Sequence, residues 1–150
     1  MITLLNIAKR AKRRAPMQTL AQANITLAAG VDDDFRGKPT KRQVSVLSAE
    51  AWQQACDSLQ TTLPWTIRRA NLLISGYQFS ADDVGKEIHI GEVRLLICKE
   101  TDPCPRMDEQ HMGLQQALSP DWRGGVCCKV LASGVINIGD HIYIVTASDK

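Results

Sequence analysis

The apolar residues of this chain fall in short runs that alternate with polar positions or form brief continuous stretches, as they do in β-strands. Turns containing glycine, proline and aspartate separate these runs. The predicted strands lie in six stretches: 2–8, 17–28, 42–48, 70–76, 85–98 and 124–145. Stretch 85–98 contains two strands, with Ile88 and Ile90 on one face and His89 on the other, and stretch 124–145 contains three.

Two helices interrupt this pattern. Ser48 is a suitable N-cap for the first helix, and an apolar face follows at helical spacing. That face consists of Trp52, Ala55, Cys56 and Leu59. The second helix is short and covers 109–118, although Gly113 disfavours helix within it.

The number and length of these elements indicate the fold class. Many short strands, few helices and frequent glycine turns predict a mainly β protein, with a closed or partly closed β-barrel and a few short helices. The 150 residues suit a single domain that spans 1–150. Segments 9–16 and 30–41 are predicted to be charged or irregular surface loops.

Composition indicates the cellular compartment and the state of the cysteines. No apolar stretch reaches the roughly 18 residues of a membrane helix, so we expect no membrane partner. The N-terminal segment is apolar first and basic second, the reverse of a secretory signal, and we therefore expect a cytoplasmic protein. Five cysteines form an odd, unevenly spaced set, which favours free thiols over a disulfide framework.

Cys104 is the first candidate for chemistry. It lies between Pro103 and Pro105 and precedes Arg106. Two prolines fix φ and remove two backbone donors, so the thiol is presented by a stiff loop. A neighbouring cation favours the thiolate, which is the reactive and metal-binding form of cysteine. The alternative is a small apolar side chain that packs a loop corner.

Clustered arginines and lysines are the second candidate. They occur in 9–14 and in 36–42, and Arg68 and Arg69 adjoin Asn71. The planar guanidinium matches phosphate and carboxylate oxygens, so an anionic ligand such as a phosphorylated cofactor would suit them. The alternative is a solvated surface, which is the favoured interpretation for 9–14. With 5% aromatic residues, a net charge of +2 and no binding motif, we expect no nucleic-acid partner.

The spacing of cysteines and aspartates in the sequence does not indicate a zinc or a calcium site. No C-x-x-C pair is present, and the adjacent Cys127 and Cys128 would point to opposite faces of a strand, which argues against zinc. The three aspartates at 32–34 lack the alternating spacing of a calcium loop. They are better explained as loop formers or as partners for neighbouring arginines.

Four segments resemble, in the same order, the small stand-alone bacterial members of the MOSC domain family, named after the C-terminal domain of molybdenum cofactor sulfurases. They are "GVDDDFRGKPTKRQVSVLSAEAW", "RRANLLISG", "IGEVRLLICKETDPCPRMD" and "GVCCKVLASGVINIGDHI". The resemblance implies a barrel-like fold that binds the molybdenum cofactor or handles sulfur destined for metals. It therefore implies sulfur transfer or a molybdenum-cofactor-dependent activity.

The resemblance also implies roles for individual residues. Cys104 matches the family's functional cysteine, as a sulfur carrier or metal ligand. The expected contacts to the anionic cofactor are Asp34, Arg36, Arg42, Arg68, Arg69, Asn71 and Arg106. Two positions depart from the family: Met107 stands where larger members have a second, metal-binding cysteine, and segment 30–34 keeps Asp34 but loses a glycine at Asp33.

Partners and alternatives follow from the same resemblance. Pyridoxal phosphate is associated with the family through a separate desulfurase domain, which this sequence does not show, so we do not expect it here. A cysteine desulfurase or a molybdoenzyme is the expected partner, and the oligomeric state stays open. One alternative is a non-catalytic module that docks such a partner. Another is an inactive scaffold, suggested by Met107.

Overall fold

A computed structural model describes residues 1–146; residues 147–150, the end of the predicted domain, lie outside the described part. The described chain is mainly β, as predicted. Its strands are β1 (Ile2–Lys9), β2 (Gln18–Leu20), β3 (Gln22–Thr26), β4 (Gly30–Val31), β5 (Val44–Ser48), β6 (Leu72–Ser75), β7 (Glu87–Ile90), β8 (Val93–Glu100), β9 (Val126–Ala132), β10 (Gly134–Asn137) and β11 (His141–Val145). Its α-helices are α1 (Ala49–Ser58), α2 (Arg106–Gln110) and α3 (Leu114–Leu118).

Seven of the described strands close into a barrel, which confirms the predicted fold class. The ring runs β1, β11, β7, β8, β9, β5 and β6, and β6 pairs back with β1. Closure depends on the first and last strands, where Ile2 lies opposite Ile142. The β5–β6 pair is parallel, and α1 lies in the connection between them, as a parallel crossover requires. Strands β10, β3 and β4 form a separate small sheet.

Alternating side chains fill the barrel and leave its outer wall for other contacts. Ile88 and Ile90 are fully buried in the core while His89 is half-buried, as predicted. On β5, Val44 and Val46 belong to the same core. Ser45, between them, therefore faces the outer wall.

The helices pack together on the outside of the barrel. The hydroxyl of Ser48 accepts a hydrogen bond at 3.2 Å from the backbone N–H of Ala51, which confirms the predicted N-cap. Trp52 on α1 and Leu114 and Leu118 on α3 share a second apolar cluster with Leu47, which follows the inward Val46 on β5. The helical layer therefore lies against the wall beside β5. Within residues 1–146 no helix is long and apolar enough to cross a membrane.

Two predictions are wrong, because each predicted element is divided into two in the structure. The predicted helix over 109–118 is two short helices, α2 and α3, separated by residues 111–113. Gly113 has φ +88° and therefore cannot continue an α-helix. The predicted run 17–28 is likewise divided into β2 and β3 around Ala21. β2 pairs with β1, whereas β3 pairs with β10, so the break lets one run serve two sheets.

Gln43 joins the loop that precedes β5 to the rest of the protein. Its side chain is fully buried. Its amide nitrogen donates to the carbonyl oxygens of Leu27 at 2.9 Å and Gly37 at 3.0 Å. Its amide oxygen accepts from the N–H of Val130 on β9 at 2.9 Å. One side chain thus holds the irregular segment 27–43 against the barrel wall.

Replacement of Gln43 by leucine should destabilise the fold. The substitution keeps similar bulk but leaves a buried donor and two acceptors unpaired, so the free energy of unfolding should fall by about 3 kcal/mol. Urea unfolding followed by circular dichroism measures the change. Gln22→Leu is the matched control, because Gln22 is exposed and bonds only through an exposed contact with Asn137. Equal stability of the two variants would contradict the role of Gln43.

Candidate functional site

A cavity of about 340 Å³ lies beside the outer wall of the barrel. Loops after β1, β4 and β8, the residues that precede β6, and the start of α2 and β9 surround it. Its lining is Arg10, Arg14, Asp34, Arg36, Arg42, Ser45, Arg68, Arg69, Ala70, Asn71, Thr101, Asp102, Cys104, Arg106, Met107, Glu109, Gln110, Gly124 and Cys127. Segments more than a hundred residues apart in sequence therefore meet at one site.

The structure brings together every residue that the sequence predicted for the site. The eight are Asp34, Arg36, Arg42, Arg68, Arg69, Asn71, Cys104 and Arg106. Their roles in binding stay predictions. Their contacts, however, divide them into side chains that build the wall and side chains whose polar atoms are available to a ligand.

Cys104 is exposed at the edge of the cavity. Its carbonyl oxygen accepts from the N–H of Met107 at 2.9 Å, which makes the loop continuous with α2. The carbonyl of Pro103 accepts from the side-chain amide of Gln115 at 3.3 Å. Because the flanking prolines have fixed φ, these contacts leave the thiol in a defined place. The alternative, in which Cys104 packs a buried loop corner, is wrong.

Arg68 belongs to the wall. It is 7% exposed, and it donates through Nε to the carbonyl of Gly124 at 3.1 Å and through Nη2 to that of Thr101 at 2.8 Å. Its Nη1 lies 3.8 Å from the sulfur of Met107. Burial lowers its pKa, and negative charge on Cys104, Cys127 and Asp102 acts in the opposite direction. Arg68 therefore ties two loops together while its charge still acts on the cavity.

Asn71 and Asp34 also use their polar atoms inside the protein. The side chain of Asn71 accepts from the N–H of Ser45 at 3.0 Å and donates to the carbonyl of Ala8 at 3.2 Å. The Asp34 carboxylate accepts from the N–H groups of Arg10 at 3.0 Å and Arg36 at 3.2 Å. Both residues shape the cavity. For Asp34 this agrees with the loop-forming interpretation of the aspartate run.

One nitrogen of the Arg69 guanidinium has no hydrogen-bond partner in the described part of the protein. Arg69 has φ +67° and caps the C-terminal end of a 3₁₀ turn over Trp65–Arg68. Its Nη1 is buried, and in residues 1–146 no hydrogen-bond acceptor reaches it. An unpaired buried donor costs about 1–3 kcal/mol, and more when it is charged. An acceptor brought by a ligand in the cavity would remove this cost.

Arg10 and Arg14 also belong to the site, although they were not predicted there. The run 9–14 was assigned to solvated surface, but both residues line the cavity and Arg10 is only 8% exposed. Its guanidinium carbon lies 5.5 Å from the ring centroid of Phe35. Burial lowers the pKa of Arg10, and the charges of Arg69 and Arg36 lower it further. The two-residue period of a strand places Arg10 on the same face as Ala8, which is buried. This pattern in the sequence pointed to burial of Arg10.

Cys127 was missed as well. It was considered only as a zinc ligand, together with Cys128 on the opposite face of a strand. Cys128 is indeed in the barrel core, whereas Cys127 lines the cavity, with its sulfur 3.1 Å from the hydroxyl of Thr101. Among the described residues no three His, Cys, Asp or Glu side chains are grouped as metal ligands.

The electrostatic balance of the lining is strongly positive. Seven arginines border the cavity, against the three acidic residues Asp34, Asp102 and Glu109. Like charges at close range raise the energy of the empty site and repel free cations. The arrangement can therefore bind an anion and place it beside an exposed thiol.

Solved structures show the same fold. The YuaD protein of Bacillus subtilis superposes with a TM-score of 0.84 and 18% identity over 97% of each chain. YiiM of Geobacillus stearothermophilus has a TM-score of 0.77 and 15% identity, covering 97% of this chain and 75% of that one. YiiM of Escherichia coli has a TM-score of 0.72 and 14% identity, covering 96% and 70%. A comparison with curated proteins gave no match.

The family follows from the sequence as a whole. The model of the MOSC domain matches residues 23–143, which include every predicted site residue and every barrel strand except β1 and the last two residues of β11. This agrees with the order of motifs noted in the sequence and with the closed barrel. The chain belongs to the MOSC domain family.

Proposed function

We propose that this MOSC-domain protein binds an anionic molybdenum–pterin cofactor in the arginine-lined cavity, with Cys104 as the thiol that holds its metal or its sulfur. The observation that carries the proposal is a cavity bordered by seven arginines and an exposed cysteine; one of these arginines, Arg69, has a buried Nη1 with no hydrogen-bond partner within residues 1–146. A phosphate-bearing ligand supplies anionic oxygens for the arginines that outnumber the acidic residues of the lining.

The donors of the site fit such a group. Arg69, Arg36, Arg42 and Arg106 line the cavity and would pair with its anionic oxygens. Cys104 is the soft donor that a molybdenum centre accepts. When bound, the cofactor supplies metal-centred electron and oxygen chemistry. The chain's own residues bind and orient it.

Met107 limits which sulfur can act as a thiolate ligand on this loop. Its thioether is buried and lies against Arg68. A thioether carries no negative charge and is a weak acceptor. The substitution therefore moves the proposed ligand role to Cys104, three residues earlier in the chain.

Sulfur carriage by the same thiol is a second candidate, favoured by the exposure of Cys104. A sulfur donor such as a cysteine desulfurase must bring its own persulfide to the receiving thiol, and an exposed, fixed cysteine permits that approach. A molybdoenzyme would be the acceptor. Among the described lining residues none is lysine, the residue that bonds to pyridoxal phosphate, and we do not propose that cofactor.

Replacement of Arg69 by glutamine should weaken cofactor binding without destabilising the empty protein. The change removes a charged donor that has no internal partner, so affinity should fall at least about tenfold while the melting temperature stays the same or rises. Titration of purified molybdenum cofactor, followed by fluorescence of the oxidised pterin, measures the affinity.

Arg13→Gln is the matched control for Arg69→Gln, because Arg13 is exposed and does not line the cavity. Removal of either arginine changes the net charge by the same amount. Equal weakening by both variants would show that only general charge matters, and would contradict a specific role for Arg69.

Replacement of Cys104 by serine should separate metal retention from pterin retention. The arginine contacts remain, so bound pterin should fall little, whereas molybdenum per bound pterin should fall severalfold because the soft ligand is gone. Elemental analysis of the reloaded protein, combined with pterin fluorescence, gives the ratio. Cys98→Ser is the control, since Cys98 is half-buried and outside the cavity.

The docking-module alternative gives a different result in the same assay. In that case the wild-type protein takes up neither molybdenum nor pterin, while a desulfurase or molybdoenzyme partner is bound equally by wild type and Cys104→Ser. That outcome would overturn the proposed function.

A further inference from the structure

The cavity contains a second thiol that the proposed function does not use. Cys127, on β9, borders the same cavity as Cys104 but is only 3% exposed. Its sulfur lies 3.1 Å from the hydroxyl of Thr101, the residue that follows β8 and precedes the Cys104 loop. The backbone N–H of Thr101 also bonds to the carbonyl of Gly125 at 2.8 Å. The loop that carries Cys104 therefore begins in contact with Cys127.

One fixed guanidinium, that of Arg68, belongs to a residue that lines the same cavity as both thiols. Negative charge on either Cys104 or Cys127 acts on Arg68, and Cys104 is the larger of these effects. The hydrogen-bond acceptors of Arg68 are neutral groups, the carbonyls of Gly124 and Thr101 and the thioether of Met107. A buried charge with neutral partners is stabilised by a nearby anion. A sulfur anion at either cysteine supplies that charge.

The two thiols differ in access. Cys104 is exposed, so a donor in solution reaches it directly, whereas the low exposure of Cys127 excludes such a donor. Both nevertheless border a cavity of only about 340 Å³. A sulfur atom attached to Cys104 on the cavity side extends the reach of that residue toward the wall.

We propose that Cys104 and Cys127 form a two-thiol sulfur centre, in which Cys104 receives a sulfane sulfur at the cavity edge and passes it to Cys127 in the wall. The proposal rests on the sulfur-carrying form of the proposed function. The Cys127 thiolate attacks the outer sulfur of the Cys104 persulfide, and a new S–S bond forms at Cys127. The S–S bond to Cys104 breaks, and its electron pair leaves on the Cys104 sulfur, which takes up the proton that Cys127 lost.

The exchange needs no oxidant or reductant, because one persulfide and one thiol become one thiol and one persulfide. The negative charge moves from one sulfur to another near the same guanidinium, so it is not separated from its counter-charge. At Cys127 the transferred sulfur is shielded from small thiols in solution. Cys104 is then free to accept a second sulfur.

Site-resolved mass spectrometry after sulfur loading tests the exchange. The reduced protein is exposed briefly to inorganic polysulfide, desalted, and alkylated at successive times before peptide mapping. In wild type, persulfide should appear first on Cys104 and then on Cys127, with one label decreasing as the other grows. In Cys104→Ser the label on Cys127 should be lost. In Cys127→Ser it should stay on Cys104.

Two further variants and three contrary outcomes make the result decisive. Cys127→Ala repeats the Cys127 test with a smaller apolar residue, and Cys98→Ser, which changes a half-buried thiol outside the cavity, should behave as wild type. Labelling of Cys104 that never reaches Cys127, or equally fast labelling of Cys127 in Cys104→Ser, would overturn the exchange but leave Cys104 as a carrier. Absence of label on Cys104 in wild type would overturn both.

Discussion

The site depends on one buried guanidinium, that of Arg68. Its hydrogen bonds to the carbonyls of Thr101 and Gly124 join the segment after β8 to the segment before β9. A Cβ atom at position 124 would lie 2.5 Å from the Thr101 oxygen and 3.1 Å from Nη2 of Arg68, so only glycine permits this approach. Cys104 lies three residues after Thr101, in the loop that begins there. Its place relative to the barrel is therefore set by an arginine that is distant in sequence.

Local sequence patterns were sufficient to predict most of the strands, but not to predict how the strands pair with one another. The alternation of Ile88, His89 and Ile90 and the Ser48 cap are properties of a few neighbouring residues, and both were predicted correctly. Closure between β1 and β11 depends on pairing of Ile2 with Ile142, which no local pattern encodes. The same limit explains the divided run around Ala21, because the two halves pair with strands from opposite ends of the chain.

The site shows the same division between local and long-range information. The proline-flanked Cys104 and the paired arginines are visible as short motifs, and the family resemblance supplied the grouping. Arg10 was assigned to solvent because its neighbours are charged, whereas Phe35 from another loop covers it and Asp34 fixes its backbone. For Cys127 the sequence indicated only that it lies on the opposite face of a strand from Cys128. Which face borders a cavity depends on loops that pack there after folding.

The charges that suit the cavity to an anion also cost the empty protein stability. Arg10 has a lowered pKa because it is buried and because the charges of Arg69 and Arg36 are near, so its charged form is less favourable there than in water. Arg69 adds a buried nitrogen without a partner. A free cation would increase this cost, and a neutral ligand would leave the charge repulsion unchanged. An anionic ligand would offset both effects, because it supplies an opposite charge for Arg10 and an acceptor for Arg69.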